Sequence, residues 1–162
     1  MDYQIFDKMD EGEYIQKTGE TDQAYMERVM RAVVESCQDK ERLNFNDIIA
    51  PEFCGCSAED KSLRLRYRPQ DWQRNPNGVL HGGIIAATID MTLGALTKYY
   101  ARDSKSVTVQ LNVSFMREVS LGHPFCVIAK SDKAGRRLKF LSAELIDDIT
   151  GKTAAKATSV FV

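Results

Sequence analysis

The stretch NPNGVLHGGIIAATIDMT, residues 75–92, packs small and apolar residues around a His-Gly-Gly and one carboxylate, Asp90. Large apolar residues recur there at helical spacing, which predicts a helix over residues 82–99. Its large-residue stripe is Ile85, Ile89, Leu93, Leu96 and Tyr100. Its small-residue stripe is Gly83, Ala87, Asp90, Gly94 and Thr97. Since a helix that is apolar nearly all round is buried nearly all round, a central carboxylate needs a chemical reason.

The start of this helix is suited to binding a developing negative charge. The first amides of a helix have no intrahelical partner, and the macrodipole makes that end partly positive. Gly82 and Gly83 leave these amides unobstructed, so a carbonyl oxygen that gains charge can be held there as in an oxyanion hole. Asn75, in the preceding loop, can supply an amide donor to an adjacent group. His81 first suggests a general base, but its place just before Gly82 favours a local role at the helix start.

Distance separates the two halves of this candidate site. Asp90 follows Gly82 by eight positions, or about 12 Å along a helix axis. A catalytic base or nucleophile must lie within hydrogen-bond reach of the reacting atoms or one water away. Two copies of the helix around a twofold axis would bring Asp90 of one copy to the glycines of the other. The residues therefore predict a site shared between the protomers of a homodimer.

The rest of the chain predicts an α+β fold, with an antiparallel sheet, one long helix beside it and a smaller helix in front. The smaller helix begins at Thr21 or Asp22, and its amphipathic pattern suggests packing rather than chemistry. A loop is expected around residues 44–46. Arginines that alternate with apolar residues at 62–68 are interpreted as the solvated face of an edge strand, and alternation at 106–116 predicts a half-buried strand. Other strands are expected within 53–61 and at 125–131, 138–146 and 153–162.

Composition excludes several classes of function. A net charge of −1 over 162 residues gives no field for nucleic acid or an anionic membrane. A membrane-spanning helix needs about 20 apolar residues without a charge, and the sequence contains no such run, so we expect no membrane helix. The cysteines form no disulfide framework and no signal peptide opens the chain, so we expect reduced thiols and a cytoplasmic location. With only two histidines and no second cysteine pair, we expect no metal site.

The pattern N-x-x-G-x-x-H-G-G followed by Asp resembles the signature of hotdog-fold acyl-CoA thioesterases of the phenylacetate-degradation type. The residues that carry it are Asn75, Gly78, His81, Gly82, Gly83 and Asp90. The resemblance covers roughly residues 50–162. It divides the chain into an N-terminal extension, residues 1–45, with one amphipathic helix, and a hotdog thioesterase domain, residues 46–162. Glu118 departs from the family, which often has proline there.

The resemblance implies an antiparallel sheet wrapped around a long central helix, and active sites shared between protomers. It also implies roles. The Gly82 amide polarises the thioester carbonyl with support from Asn75, and Asp90 of the other chain is the general base or the nucleophile. Thr108, eighteen residues beyond Asp90, helps to orient water. No cofactor is implied, since coenzyme A is part of the substrate. The homodimer can pair again into a tetramer.

Two further interpretations of the residues stay open. Arg136 and Arg137 suit the phosphates of coenzyme A but also suit a solvated surface. A non-catalytic acyl-CoA-binding module is the alternative function, although the set of Asn75, Gly82, Asp90 and Thr108 favours turnover. A hotdog hydratase would need a catalytic histidine paired with an acid at a different spacing, and no serine lies in a Gly-x-Ser-x-Gly context.

Overall fold

A computed structural model describes residues 14–39, 41, 44–101 and 106–162 of the chain. The acidic, patternless start of the sequence also predicts a loosely held N-terminal segment, and residues 1–13 of that segment lie outside this set. The helices are α1 (Asp22–Ser36), α2 (Phe45–Ile49) and α3 (Gly82–Ala101), with a 3-10 turn at Asp71–Gln73. The strands are β1 (Glu52–Ser57), β2 (Ser62–Tyr67), β3 (Thr108–Phe115), β4 (Phe125–Ala134), β5 (Lys139–Asp147) and β6 (Thr153–Phe161).

The six strands form one antiparallel sheet in the order β1-β2-β4-β5-β6-β3. Helix α3 connects β2 to β3 and packs on one face of this sheet, so that β3 enters the sheet beside β6 instead of beside β2. The predicted large-residue stripe of α3 carries this contact, because Ile85, Ile89, Leu93 and Leu96 are at most 3% exposed. The α+β architecture with one long helix against an antiparallel sheet is therefore confirmed.

The arginine-bearing strand β2 is buried on one face as predicted, but it is not an edge strand. Leu63, Leu65 and Tyr67 are at most 2% exposed. The hairpin that pairs Ser57 with Ser62 places β1 outside β2, and β4 lies on its other side. The edge assignment was wrong because strand order depends on pairing between distant segments, which the alternation within one strand does not encode.

Strand β3 forms where the alternation predicted it, yet much of its apolar surface is exposed. Its only partner among the described strands is β6, so its other edge is open. Val109 is 61% exposed and Phe115 56%, and Val107, just before the strand, is 60% exposed. A strand with this pattern is expected to be half-buried, so these side chains lack a covering surface within the described part of the chain.

The N-terminal helix is confirmed at the predicted position. The Thr21 hydroxyl accepts a hydrogen bond from the Ala24 amide, which caps α1. Buried residues of α1 join the same hydrophobic cluster as α3 and the sheet. The loop expected around residues 44–46 is instead the start of α2, capped by the Asn44 side chain; five residues are too few for a recognisable period. The division of the chain at residue 45 stays a prediction.

Candidate active site

Asp90 and Thr108, eighteen residues apart in sequence, are hydrogen-bonded. The Thr108 hydroxyl donates to Asp90 Oδ1 at 2.9 Å. Asp90 lies in the middle of α3 and Thr108 begins β3, and both side chains are partly exposed. No second hydrogen bond to the Asp90 carboxylate comes from the described residues. The threonine therefore fixes one carboxylate oxygen and leaves Oδ2 for a water molecule or a ligand.

The amides that begin α3 are not equivalent. His81 Nδ1 accepts from the Gly83 amide at 2.8 Å, and the His81 carbonyl accepts from Ile84 and Ile85. The Gly82 N–H is thus the one early amide of this helix without an acceptor among the described residues. His81 acts locally as the cap of the helix. Whether it also transfers a proton stays a prediction, as does substrate binding by Gly83.

Gly82 and Gly83 also differ in the space that a side chain would have at each position. A Cβ at Gly83 would lie 2.9 Å from His81 Nδ1, so any larger residue would displace the cap. A Cβ at Gly82 would lie 3.5 Å from the ring of Phe115, which is an ordinary contact distance. The last residue of β3 therefore lies beside the open amide.

Asn75 organises the loop that leads into α3. Its Oδ1 accepts from the amides of Asn77 at 2.9 Å and Val79 at 3.3 Å. The turn continues through Gly78, whose φ of +83° is readily adopted by glycine. With the oxygen engaged in this turn, the Nδ2 group is the remaining donor, and none of the residues that the structure describes accepts from it.

Arg136 and Arg137 lie in the exposed turn between β4 and β5. Strand pairing shows which end of the sheet this turn lies at. Lys139, at the start of β5, is opposite Phe161 of β6, and Phe161 is opposite Thr108 of β3. Two strand spacings, about 10 Å, therefore separate the β5 end of the turn from Thr108. The arginines are near the Thr108 end of the sheet but make no described contact with Asp90 or Gly82.

A buried hydroxyl on β2 fixes α3 from its other side. The Tyr67 hydroxyl donates to the Thr88 carbonyl at 3.2 Å and lies 2.8 Å from Thr92 Oγ1. Burial raises the pKa of Tyr67, which therefore stays protonated at neutral pH. Sequence reasoning missed this link. Its signal is weak, a tyrosine on the inward face of a strand and two threonines four residues apart on a helix.

A second feature that the sequence did not predict is a cavity of about 180 Å³ beside Asp90. It lies between α3, α1 and the Thr108 end of the sheet. The described residues include no cluster of three or more His, Cys, Asp or Glu side chains placed to hold a metal ion. Within the same residues, no helix is long and apolar enough to cross a membrane.

The sequence and the fold both match one family. The model of the thioesterase superfamily matches residues 77–154. The human protein named acyl-coenzyme A thioesterase 13 is 32% identical over 100 residues, which cover 62% of this chain and 71% of that protein. The chain belongs to the thioesterase superfamily.

Solved structures agree with this membership. A phenylacetic acid degradation-related protein from Ralstonia eutropha JMP134 has a TM-score of 0.69 at 26% identity, covering 85% of this chain and 98% of that chain. A Streptococcus mutans UA159 protein, solved bound to acetyl-CoA, shares the fold with a TM-score of 0.60 at 22% identity, covering 68% and 86%. The hotdog fold and the thioesterase family that the sequence predicted are confirmed, and the chain is a thioesterase.

Proposed function

We propose that this thioesterase hydrolyses an acyl-CoA thioester to a free acid and coenzyme A, in a site that two protomers share. The observation that carries the proposal is the position of its two functional groups on one helix. The Asp90–Thr108 pair lies about 12 Å from the open Gly82 amide along α3, too far to act on the same carbonyl within one chain. The relatives support the substrate class, since one is named for acyl-coenzyme A and another binds acetyl-CoA.

The open edge of β3 supports the pairing of two protomers. An unpaired strand edge with exposed apolar side chains is a ready template for another strand. If two β3 strands pair antiparallel about a twofold axis, the first residue of one approaches the last residue of the other. Thr108 holds Asp90, whereas Phe115 lies beside Gly82. This pairing thus carries Asp90 of one chain toward Gly82 of the partner subunit.

The chemistry follows from the groups brought together. Asp90 takes a proton from the attacking water, or its own oxygen attacks the carbonyl carbon. In both routes the carbonyl oxygen gains negative charge, which the Gly82 amide stabilises. The carbon–sulfur bond then breaks and the thiolate of coenzyme A leaves. Thr108 keeps the carboxylate oriented throughout.

The direct test is Asp90→Asn in a thiol-release assay over short, medium, long and aryl acyl-CoA thioesters. The change keeps the shape and an acceptor for Thr108 but removes the base, so we expect turnover to fall by about a hundredfold or more. Asp60→Asn is the matched control, because Asp60 lies in the β1–β2 turn and bonds Ser57 there. Full activity of the Asp90 variant would remove this residue from the mechanism. Binding of acyl-CoA without thiol release by the parent would favour the non-catalytic module.

A further inference from the structure

The cavity beside Asp90 has a mainly apolar lining with polar groups at several points. Its polar lining residues are Asp90, Thr108, Ser106, Lys98 and Asn46, and the Ser106 hydroxyl oxygen is buried with no hydrogen-bond partner among the residues described. Its apolar lining includes Gly94 and Ala95 of α3, Val33 of α1 and Cys37, the C-terminal cap of α1. A mainly apolar cavity beside the proposed catalytic carboxylate is suited to the apolar part of a substrate whose reacting carbon lies at that carboxylate.

The volume limits what this cavity can hold. An apolar cavity of about 150 Å³ is enough to bind benzene. The 180 Å³ beside Asp90 therefore matches a single ring or a chain of about six carbons, and not a long fatty chain.

We infer that this cavity receives the acyl group of the thioester and that helix α1 sets the upper limit on its size. The inference rests on the proposed function, because it places the reacting carbonyl at Asp90. Val33 of α1 and Cys37, the C-terminal cap of α1, are four residues apart and both line the cavity, and they are at most 9% exposed. The wall is firm, since Val29 and Met30 of the same helix are fully buried in the core.

The limiting wall comes from outside the segment that the thioesterase family model matches. The thioesterase model matches residues 77–154, whereas α1 spans Asp22–Ser36. Asp90 and Thr108 thus lie within the matched segment, and the wall that sets the acyl size lies outside it. One methylene in an apolar pocket changes discrimination by about 10- to 200-fold, so a single side chain of α1 is enough to alter the preferred acyl group.

Two variants change the cavity in opposite directions. Val33→Ala removes two methyl carbons from the α1 wall. Val29→Ala is its matched control, because it makes the same truncation on the same helix at a buried residue that does not line the cavity. Gly94→Ala adds one methyl group on the opposite wall, where a Cβ would lie 3.7 Å from Phe161, an ordinary contact. Alanine has a higher helix propensity than glycine, so this variant is expected to stay folded.

The readout is the ratio of kcat/KM for dodecanoyl-CoA to that for hexanoyl-CoA, with benzoyl-CoA as the ring-sized substrate. We expect Val33→Ala to raise the ratio about tenfold and Gly94→Ala to lower it, with Val29→Ala equal to the parent. Equal ratios in all four proteins would overturn the inference, as would a parent that hydrolyses dodecanoyl-CoA as well as hexanoyl-CoA.

Binding of non-hydrolysable acyl-CoA thioethers, measured by calorimetry over the same acyl series, separates this inference from the proposed function. If the parent binds the thioethers but releases no thiol, the proposed hydrolysis fails while the shift in binding preference still decides the role of α1. If the parent neither binds nor hydrolyses any member of the series, both are overturned.

Discussion

Gly82 and Gly83 are neighbours in the chain, but only one of their amides is open to a ligand. His81 occupies the Gly83 amide as a cap, so the single donor that α3 offers to a carbonyl oxygen is the Gly82 N–H. This difference can be tested at one position, because proline is tolerated as the first residue of a helix and lacks that hydrogen.

We expect Gly82→Pro to lower kcat by about 100- to 1,000-fold, the usual cost of losing one oxyanion donor. Gly82→Ala is the matched control. It keeps the N–H, and its methyl group meets Phe115 at an ordinary distance. Thiol release gives the rate, and thermal unfolding shows whether each variant keeps its fold. Equal losses of rate in the two folded variants would mean that the amide is not the oxyanion donor.

Single residues were predictable where spacing carries the information. The interval from Asp90 to Thr108 suggested a pair, and the structure joins them by one hydrogen bond. The contact of Tyr67 with Thr88 and Thr92 was missed, because nothing in the sequence says which strand residue meets which helix turn. The roles of the site residues in catalysis remain predictions that the variants above would test.

At the scale of elements, helical periodicity located α1 and α3, and alternation located β2 and β3, because burial on one face imposes those patterns on the sequence. Turn residues between strand-like segments located β4, β5 and β6, and β1 was expected only somewhere within residues 53–61. Elements without a period were missed, as α2 shows. The place of each strand in the sheet was also beyond reach. β2 has the pattern of a strand with one solvated face, and the hydrogen bonds that make it internal come from β1 and β4.

The turn between β5 and β6 gives a pH-dependent test at this scale. Burial disfavours the charge of Asp147, but hydrogen bonds outweigh it and the pKa of the carboxyl is lowered. The donors are the Thr150 amide, His123 and the Ile149 amide. A carboxyl with a depressed pKa stabilises the folded state above its unfolded pKa, near 3.9, and this contribution is lost as pH falls through the lower folded value.

Asp147→Asn is therefore expected to lower the free energy of unfolding at pH 7 by roughly 1.5–3 kcal/mol, the range for hydrogen bonds to a charged group. Below about pH 4 the gap between parent and variant should narrow, since the parent becomes protonated too. Urea unfolding at intervals from pH 3 to 7 measures both effects. A constant gap across that range would show that the ionisation of Asp147 does not contribute.

At the scale of the whole molecule, the described chain has a buried core on one side and an apolar strand edge on the other. The sequence predicted the need for a second copy from the length of α3 alone. It could not predict where that copy would sit, because the open edge of β3 becomes evident only when the strand order is known.

Mixed dimers test the shared site directly. Asp90→Asn and Gly82→Pro chains carrying different tags can be produced together, and the heterodimer can be purified through both tags. In a twofold dimer with shared sites, one of its two sites contains both native groups, so we expect about half of the parent's activity from two inactive chains. A heterodimer of Asp90→Asn with Asp90→Ala is the control and should stay inactive. Failure of the first heterodimer to regain activity would place each site within one protomer.

The hydrogen bonds of the Tyr67 hydroxyl restrain the rotation of α3 about its own axis. Thr88 and Thr92 face β2, and Asp90, two residues on from Thr88, projects about 200° around the helix from it. A roll of only 10° would carry a carboxylate roughly 6 Å from the axis through about 1 Å, and a displacement of that size can cost about a hundredfold in rate. The hydrogen bonds of the phenol thus help to hold the orientation of Asp90, the proposed base, although Tyr67 lies on the other side of the helix.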